Sequence, residues 1–436
     1  MIVTWKKLTL ADRYFALCIG AAIVAGLIIR CMGLPGTGTF ADLILINSWG
    51  RVVHLYGWTD SYRYAIDGFS QTNYPPLNTA IFGAMTKIHD LIFGVTSLTS
   101  ASLNTVMKIP AILADIWISL FVFVFLRRFV PLHKAVIAGA AFWLYPSYWL
   151  LSSYWGQTDS IFSSLSFGSL VACLLGLPFF SGFLLILSLL TKVQGIIIAP
   201  VIMVLLMRST KDVARAALGA LIPCVIVLAP FFLTDRLSDV MSIYTDIPGI
   251  PPVLSLHTYN MWWAFFALPS AFIIDTTLIG NVVSFRMVGY LLTSACYIPL
   301  LYRMYMVLRH NSDKRRMIEV SLAVAALCSL AFFLLMTRMH QRYFFSFVPC
   351  VLVLWFLREE GHRHVLVLLS TFCINLLTMM MFYPAADGFY GLFGFVLAWI
   401  NMLVTADLAR VWWQTILHPL PFGEKHASSY DSDHSR

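Results

Sequence analysis

Apolar runs follow one another along almost the whole of this 436-residue chain, and most approach the about 20 residues that an α-helix needs to cross a bilayer. The runs are long and continuous, not the alternating stretches of about ten residues that mark a membrane β-barrel. Only 11% of the residues are charged, against 59% hydrophobic and 15% aromatic, which is too little charge to cover a soluble domain of this length. The expected fold class is therefore an all-α polytopic membrane protein, with roughly eleven to thirteen helices packed as one unit.

The net charge of +8 does not point to nucleic acid, because the basic residues form short clusters between apolar runs, as the positive-inside bias requires. The eight cysteines are scattered through apolar stretches with no metal-type spacing and read as packing residues. Lys6, Lys7 and Arg13 precede the first apolar run, which is long enough to span and is followed by further spans. It reads as an uncleaved first helix with a cytoplasmic start.

From that start, residues 14–31 cross to the outside. The next apolar stretch, residues 77–93, carries Lys87, His89 and Asp90. If it crossed, the basic segment at residues 127–134 would face outward. A helix lying flat at the interface, with Ile81, Met85, Ile88 and Ile92 toward the acyl chains, keeps that segment inside. Further spans then start near residues 104, 135, 160, 182, 195, 216, 282, 318, 343, 364 and 388, about twelve in all, with both termini in the cytoplasm. Three of these, between residues 160 and 207, are short and interrupted. Two outer loops are long, residues 32–103 and 234–281 with its PGIPPV run, and loops of that length are usually functional. The tail at residues 418–436 is polar and expected to be disordered. No internal repeat of the kind many transporters show is visible.

In this threading every polar cluster within the apolar chain falls on the outer side. Asp42 begins an amphipathic stretch just after the first span, and is either a helix N-cap or a general base at the membrane surface. Pro75 and Pro76 stiffen a turn that aims Asn73 and Tyr74, or simply open a helix. Asp115 lies inside a span, where a lone carboxylate costs about 2.5–3.5 kcal/mol, so it needs a partner; Lys192 and the 104–108 turn are candidates, and its role is structural or site-supporting. Trp155, Gln157 and Asp159 pack an indole, an amide and a carboxylate into one outer turn suited to a sugar, although Asp159 alone fits an N-cap. Lys192 and Gln194 interrupt an apolar run, and Lys192 is either a phosphate-binding charge or a snorkelling one. Asn260 closes another outer cluster. His340, Gln341 and Arg342 open a late span, where free amides and cations form an anion site or a headgroup anchor; Arg338 and Arg342 also break the positive-inside trend.

Taken together, seven segments in order resemble the GT-C fold glycosyltransferases that use polyprenyl-phosphate-linked sugars, particularly bacterial and archaeal relatives of GPI mannosyltransferase II. The segments are FAD at Asp42, NYPPL from Asn73, KIPAILAD ending at Asp115, YPSYWLLSSYWGQTDS from Tyr145, LLTKVQGIIIAP from Leu189, LSLHTYNMWW from Leu254 and TRMHQRYFF from Thr337. The resemblance implies a catalytic membrane module over residues 1–233 with interfacial helices in its first outer loop, a variable membrane module over 234–417, and a tail from 418 to 436. It implies Asp42 as catalytic base. Lys192, His340 and Arg342 would bind the donor phosphate, while Asn73, Tyr74, Trp155, Gln157, Asp159, Gln194, Asn260 and Gln341 would hold sugar and acceptor. Where the pattern usually reads DYPP and MHER, this chain has Asn73 and Gln341, each a carboxylate fewer, so no metal cofactor is indicated.

The function so implied is an inverting transfer of a mannose-like hexose from a polyprenyl phosphate to an acceptor hydroxyl, on lipid, polysaccharide or protein, at the extracytoplasmic face of a plasma membrane, bacterial in preference to endoplasmic reticulum. The absence of a Rossmann segment argues against direct use of a nucleotide sugar. The rival reading is a flippase for lipid-linked oligosaccharides, which predicts polar residues on both faces. A purely structural subunit would leave Asp42 and Trp155 without a task.

Overall fold

The computed structural model describes residues 10–38, 42–245, 251–309, 313–382 and 388–418. Lys6, Lys7, the first residues of PGIPPV and the polar tail lie outside them. Prolines, glycines and short polar caps set many of the helix ends. After α1 (Leu10–Gly33) and α2 (Asp42–Tyr56), α3 (Pro76–Phe93) opens on a proline, whose missing N–H has no helical partner to lose there, and closes at Gly94 with φ +74°. Ser100 caps α4 (Ala101–Leu126) by accepting from the Leu103 amide. α5 (Leu132–Leu144) and α6 (Pro146–Trp149) form one apolar segment bent by 40°, extended by a π-helical turn at Leu150–Trp155. Then come α7 (Asp159–Leu174), α8 (Pro178–Thr191), α9 (Ala199–Leu206) and α10 (Thr210–Leu233). The segment after α10 holds the short α11 (Leu237–Thr245) and α12 (Met261–Phe266). The chain finishes with α13 (Phe285–Arg309), α14 (Lys314–Leu335), α15 (Phe347–Leu357), α16 (His362–Phe382) and α17 (Gly388–Thr415).

Among the described residues, seven helices are long and apolar enough to cross a membrane: α1, α4, α10, α13, α14, α16 and α17. The bent α5–α6 segment is an eighth, and four shorter apolar helical segments, at Asp159–Leu174, Pro178–Thr191, Val193–Leu206 and Tyr343–Leu357, fill the remaining positions expected of spans. The interruption foreseen between residues 160 and 207 is real: α8 breaks at an extended Lys192, and a 3₁₀ turn precedes α9.

Position in the bundle does not follow hydropathy. α1 and α14 have the same mean hydropathy, yet 11% of the apolar window is buried in α1 and 89% in α14. Side-chain size does not separate the two, since α1 carries small residues as well, among them exposed Gly20, Ala21 and Ala25. α14 carries Ala323, Ala325, Ala326, Ser321, Ser329 and Cys328, all fully buried, and small residues let neighbouring helices approach closely where lipid offers no hydrophobic drive between them. α1 instead exposes Leu17, Leu27, Ile28 and Met32.

α3 is amphipathic in the sense expected of a flat helix. Asn78, Thr79, Thr86 and His89 are buried against the protein, while Ile88, Leu91, Ile92 and Phe93 are exposed, with Ile81 and Met85 half-buried. α3 does not qualify as a span. A paired Arg51–Asp90 contact, backed by His89 Nδ1 at 3.0 Å from Asp90, ties α2 to α3.

The basic turns gather at one end. Arg208 reaches the Met317 sulfur, Arg315 donates to Leu357 O and Glu319, Arg358 pairs with Glu319, and Arg316 donates to His418 O. At the other end, the two-residue strands Ser255–Leu256 and Met339–His340 pair in parallel, joining the segment that carries α11 and α12 to the entry of α15.

Candidate active site

Asp42 is the first residue of α2, and three donors converge on its Oδ2: Gln157 Nε2 at 2.7 Å, Trp155 Nε1 at 3.1 Å and Arg342 Nη1 at 3.2 Å. These come from the π-helical turn, the turn after it and the approach to α15. Gly156 makes the first two possible. It adopts φ +84°, and a Cβ there would meet Leu43 Cδ1 at 2.8 Å, so the backbone turns sharply enough to present both neighbours to one oxygen. The Asp42 side chain keeps 30% of its surface exposed, into a cavity of about 640 Å³.

A second carboxylate supports the first. Asp159, fully buried in the first turn of α7, accepts from Lys192 Nζ at 2.8 Å and lies 3.7 Å from Arg342 Nε. Arg342 thus bridges two acids, with its guanidinium 5.3 Å from the Trp155 ring. Burial pulls the Arg342 charge down, but Asp42 and Asp159 outweigh it and raise the group above its ordinary range. Lys192 sits among the rings of Tyr74, Phe162 and Tyr343, each 5.5–5.7 Å from Nζ. Burial, only partly offset by Asp159, pushes its ammonium down to about 8.

Tyr74 donates to Gln157 Oε1 at 3.2 Å, so the NYPP turn is coupled to Asp42 through one amide. Burial holds the Tyr74 phenol well above its usual range, and it acts as a neutral donor. Asn73, Gln194, His340 and Tyr343 also line the cavity.

The far wall holds a group absent from the sequence reading. Asp275, fully buried, accepts from Arg286 at 2.8 and 2.9 Å, from Arg338 at 2.8 and 3.3 Å and from Thr337 at 3.1 Å. Arg338 has φ +59°, a strained conformation for a side chain with a Cβ. It is held by its amide, shared between Val253 O and Leu254 O, and by Asp275. Four cations, Lys192, Arg286, Arg338 and Arg342, therefore stand against three carboxylates, Asp42, Asp159 and Asp275. The surplus is positive and suits an anion.

Several expectations need correction. The partner of Asp115 is Arg30, not Lys192 or the 104–108 turn: Nε and Nη2 of Arg30 lie 3.0 and 2.9 Å from Oδ2, and Ser152 and Ser160 donate as well. Arg30 also packs 3.6 Å over the Trp143 ring. Lys108 instead holds Gly33 O and Gly36 O, both at 2.8 Å, at the end of α1. Trp155 and Asp159 are buried behind Asp42 and Lys192 in the hydrogen-bond order and do not line the cavity; they brace its charged groups. Asp159 is not an N-cap; Thr158 holds that position. Gln341 is fully buried and outside the lining. Asn260 caps α12 by accepting from Trp263 N at 3.3 Å, within a loop fastened by Asn375 and Met339, also away from the cavity. His340 does line it, but not as a cation: burial, then Arg342 and Lys192, hold its imidazole well below the usual range.

Arg30, Asp275 and Arg286 were missed. Arg30 carried a usable signal, a charge inside the first apolar run that needs a partner as Asp115 does. Asp275 and Arg286 carried none, since charges in and beside an outer loop are ordinary. Among the described residues no group of three or more His, Cys, Asp or Glu side chains could hold a metal ion.

Two crystal structures of ArnT from Cupriavidus metallidurans are similar to this chain. The apo state aligns with TM-score 0.54 and 16% identity over 94% of this chain and 76% of that one. The state bound to undecaprenyl phosphate aligns with TM-score 0.52 and 15% identity over 92% and 73%. The chain has the GT-C fold. No family model and no curated protein matches its sequence, so the shared architecture is carried by packing with little identity. On this GT-C frame the cavity draws Asp42 to Ile196 from one side of residue 233 and Ile243 to Tyr343 from the other, so it crosses the division expected there.

Proposed function

We propose that this chain is an inverting glycosyltransferase that moves a mannose-like hexose from a polyprenyl phosphate to an acceptor hydroxyl at the extracytoplasmic membrane surface. The observation that carries the reading is the meeting of Asp42, a half-exposed carboxylate, with Arg342 and Lys192 at the wall of one cavity. The GT-C fold and the ArnT structure with bound undecaprenyl phosphate support a lipid-linked donor. The basic turns at the opposite end support an outer location for the cavity.

In the reaction, Asp42 takes the proton of the acceptor hydroxyl while that oxygen attacks the anomeric carbon. The new C–O bond forms on the face opposite the phosphate, so the configuration inverts. The bond from the anomeric carbon to the phosphate oxygen breaks, its electron pair leaves with the polyprenyl phosphate, and Arg342 and Lys192 stabilise the growing charge. Gln157 and Trp155 occupy Oδ2 of Asp42 and fix its orientation. His340, neutral, offers a hydrogen bond and no charge.

Asp42→Asn tests this. Purified in nanodiscs and given radiolabelled polyprenyl-phosphate mannose, glucose, galactose or arabinose with a glycan acceptor, the unaltered protein transfers label from one donor. The variant melts normally and transfers none. Retained transfer removes Asp42 as the base, and no transfer by unaltered protein from any donor removes the activity.

A further inference from the structure

A second cavity, of about 550 Å³, adjoins the first and shares Asn73 and Ile243 with it. Its size falls within the roughly 300–1,000 Å³ of small-molecule sites, but its chemistry is unlike the usual apolar kind. Ser70, Gln71, Thr72 and Ser242 bring three hydroxyls and an amide, beside the phenol of Tyr62. Among the described residues the charges in its wall are Arg63 and Asp239, which pair at 2.6 Å and cancel. Thr72 is 4% exposed, yet its hydroxyl has no hydrogen-bond partner among the described residues. A buried hydroxyl left unsatisfied costs about 1–3 kcal/mol, which a ligand with hydroxyls of its own would offset.

The route from this cavity to the base is short in sequence. Thr72 and Asn73 lead into Tyr74, Tyr74 donates to Gln157, and Gln157 donates to Asp42. Tyr62 donates to Tyr74 O at 2.8 Å, so the second cavity's wall also fixes the first link of that route. The two cavities differ in charge: one has a cation surplus, the other balanced charge and uncharged polar groups.

We infer that the second cavity is the acceptor subsite and that it takes a neutral, polyhydroxylated glycan. This rests on the transfer reading for the word acceptor, while the binding of a neutral glycan stands or falls by itself. A phosphorylated acceptor would find no spare cation among the described residues of this wall, and an acyl chain would meet hydroxyls and an amide.

The test uses full-length protein in nanodiscs and mannotriose as probe, with a phosphorylated mannotriose as control. Saturation-transfer NMR shows mannotriose binding to the unaltered protein and to Asp42→Asn, weaker binding of the phosphorylated form, and loss of the mannotriose signal in Thr72→Val and Gln71→Ala. In transfer assays the acceptor KM rises about tenfold in each of the latter two, as expected for one lost hydrogen bond, while the donor KM stays within about twofold. Binding without transfer leaves the glycan site standing and removes the enzyme. Absence of mannotriose binding, preference for the phosphorylated form, or an unchanged acceptor KM in folded Thr72→Val and Gln71→Ala overturns the inference. Ser242→Ala, on α11, repeats the measurement should either loop variant fold poorly.

Discussion

Nη1 of Arg342 lies 3.2 Å from Oδ2 of Asp42, across a separation of 300 residues, and its Nε faces Asp159 at 3.7 Å. One guanidinium therefore spans Asp42 and Asp159, with the Trp155 ring 5.3 Å away. A lysine offers a single point charge and cannot span them in that geometry. Arg342→Lys is expected to fold, keep donor KM within a few-fold and lower kcat about 10²–10³-fold, the loss typical of one preorganised charge donor. A kcat within tenfold of the unaltered protein in single-turnover assays would assign the leaving-group charge to another residue.

Lys192 gives the pH dependence a direction. Its ammonium is pushed down to about 8 by burial, so the cation is present below that pH and lost above it. A bound phosphate favours the charged form and moves the transition upward. The kcat/KM for donor should fall as pH rises through about 8, with the corresponding limb of kcat at higher pH. Lys192→Arg should remove the limb from both. His340, held neutral well below its usual range, should add no transition between pH 6 and 7.

The Arg30–Asp115 pair is buried, with side chains 2% and 1% exposed. Breaking such a pair on one side leaves an uncompensated charge and destabilises by about 3–5 kcal/mol, whereas replacing both partners with apolar residues is far milder. Asp115→Ala should therefore lower the melting temperature in detergent much more than Arg30→Met combined with Asp115→Leu. Equal losses would mean that the serines around Asp115 carry the site by themselves.

Asp275 keeps Arg286 and Arg338 on the cavity wall, and Arg338 tolerates φ +59° only within that arrangement. Asp275→Ala should release the second outer loop to limited proteolysis and raise donor KM, with kcat falling less. An unchanged proteolytic pattern would show that the backbone pairing of Ser255–Leu256 with Met339–His340 holds the loop alone.

Much of the architecture was readable because a bilayer constrains it so strongly. Run lengths marked the spans, the charge bias made 77–93 a flat helix, and α3 shows the buried polar and exposed apolar faces that this requires. The centre of the bundle was not readable from hydropathy, since α1 and α14 share it, nor from side-chain size, since small residues recur along both helices. In the site, Asp42, Lys192 and Arg342 stood out as polar residues where folding needs none. Their supports did not. Trp155 and Asp159 looked like ligand groups because sequence shows residue type and not what already occupies each polar atom. Asn260 stood in a polar cluster that proves to be a cap.

The distance in sequence between Asp42 and Arg342 also orders events in time. The acid is synthesised 300 residues before its cation. Any fragment that stops short of residue 342 keeps the Gln157 and Trp155 donors to the carboxylate and lacks the guanidinium that bridges it to Asp159.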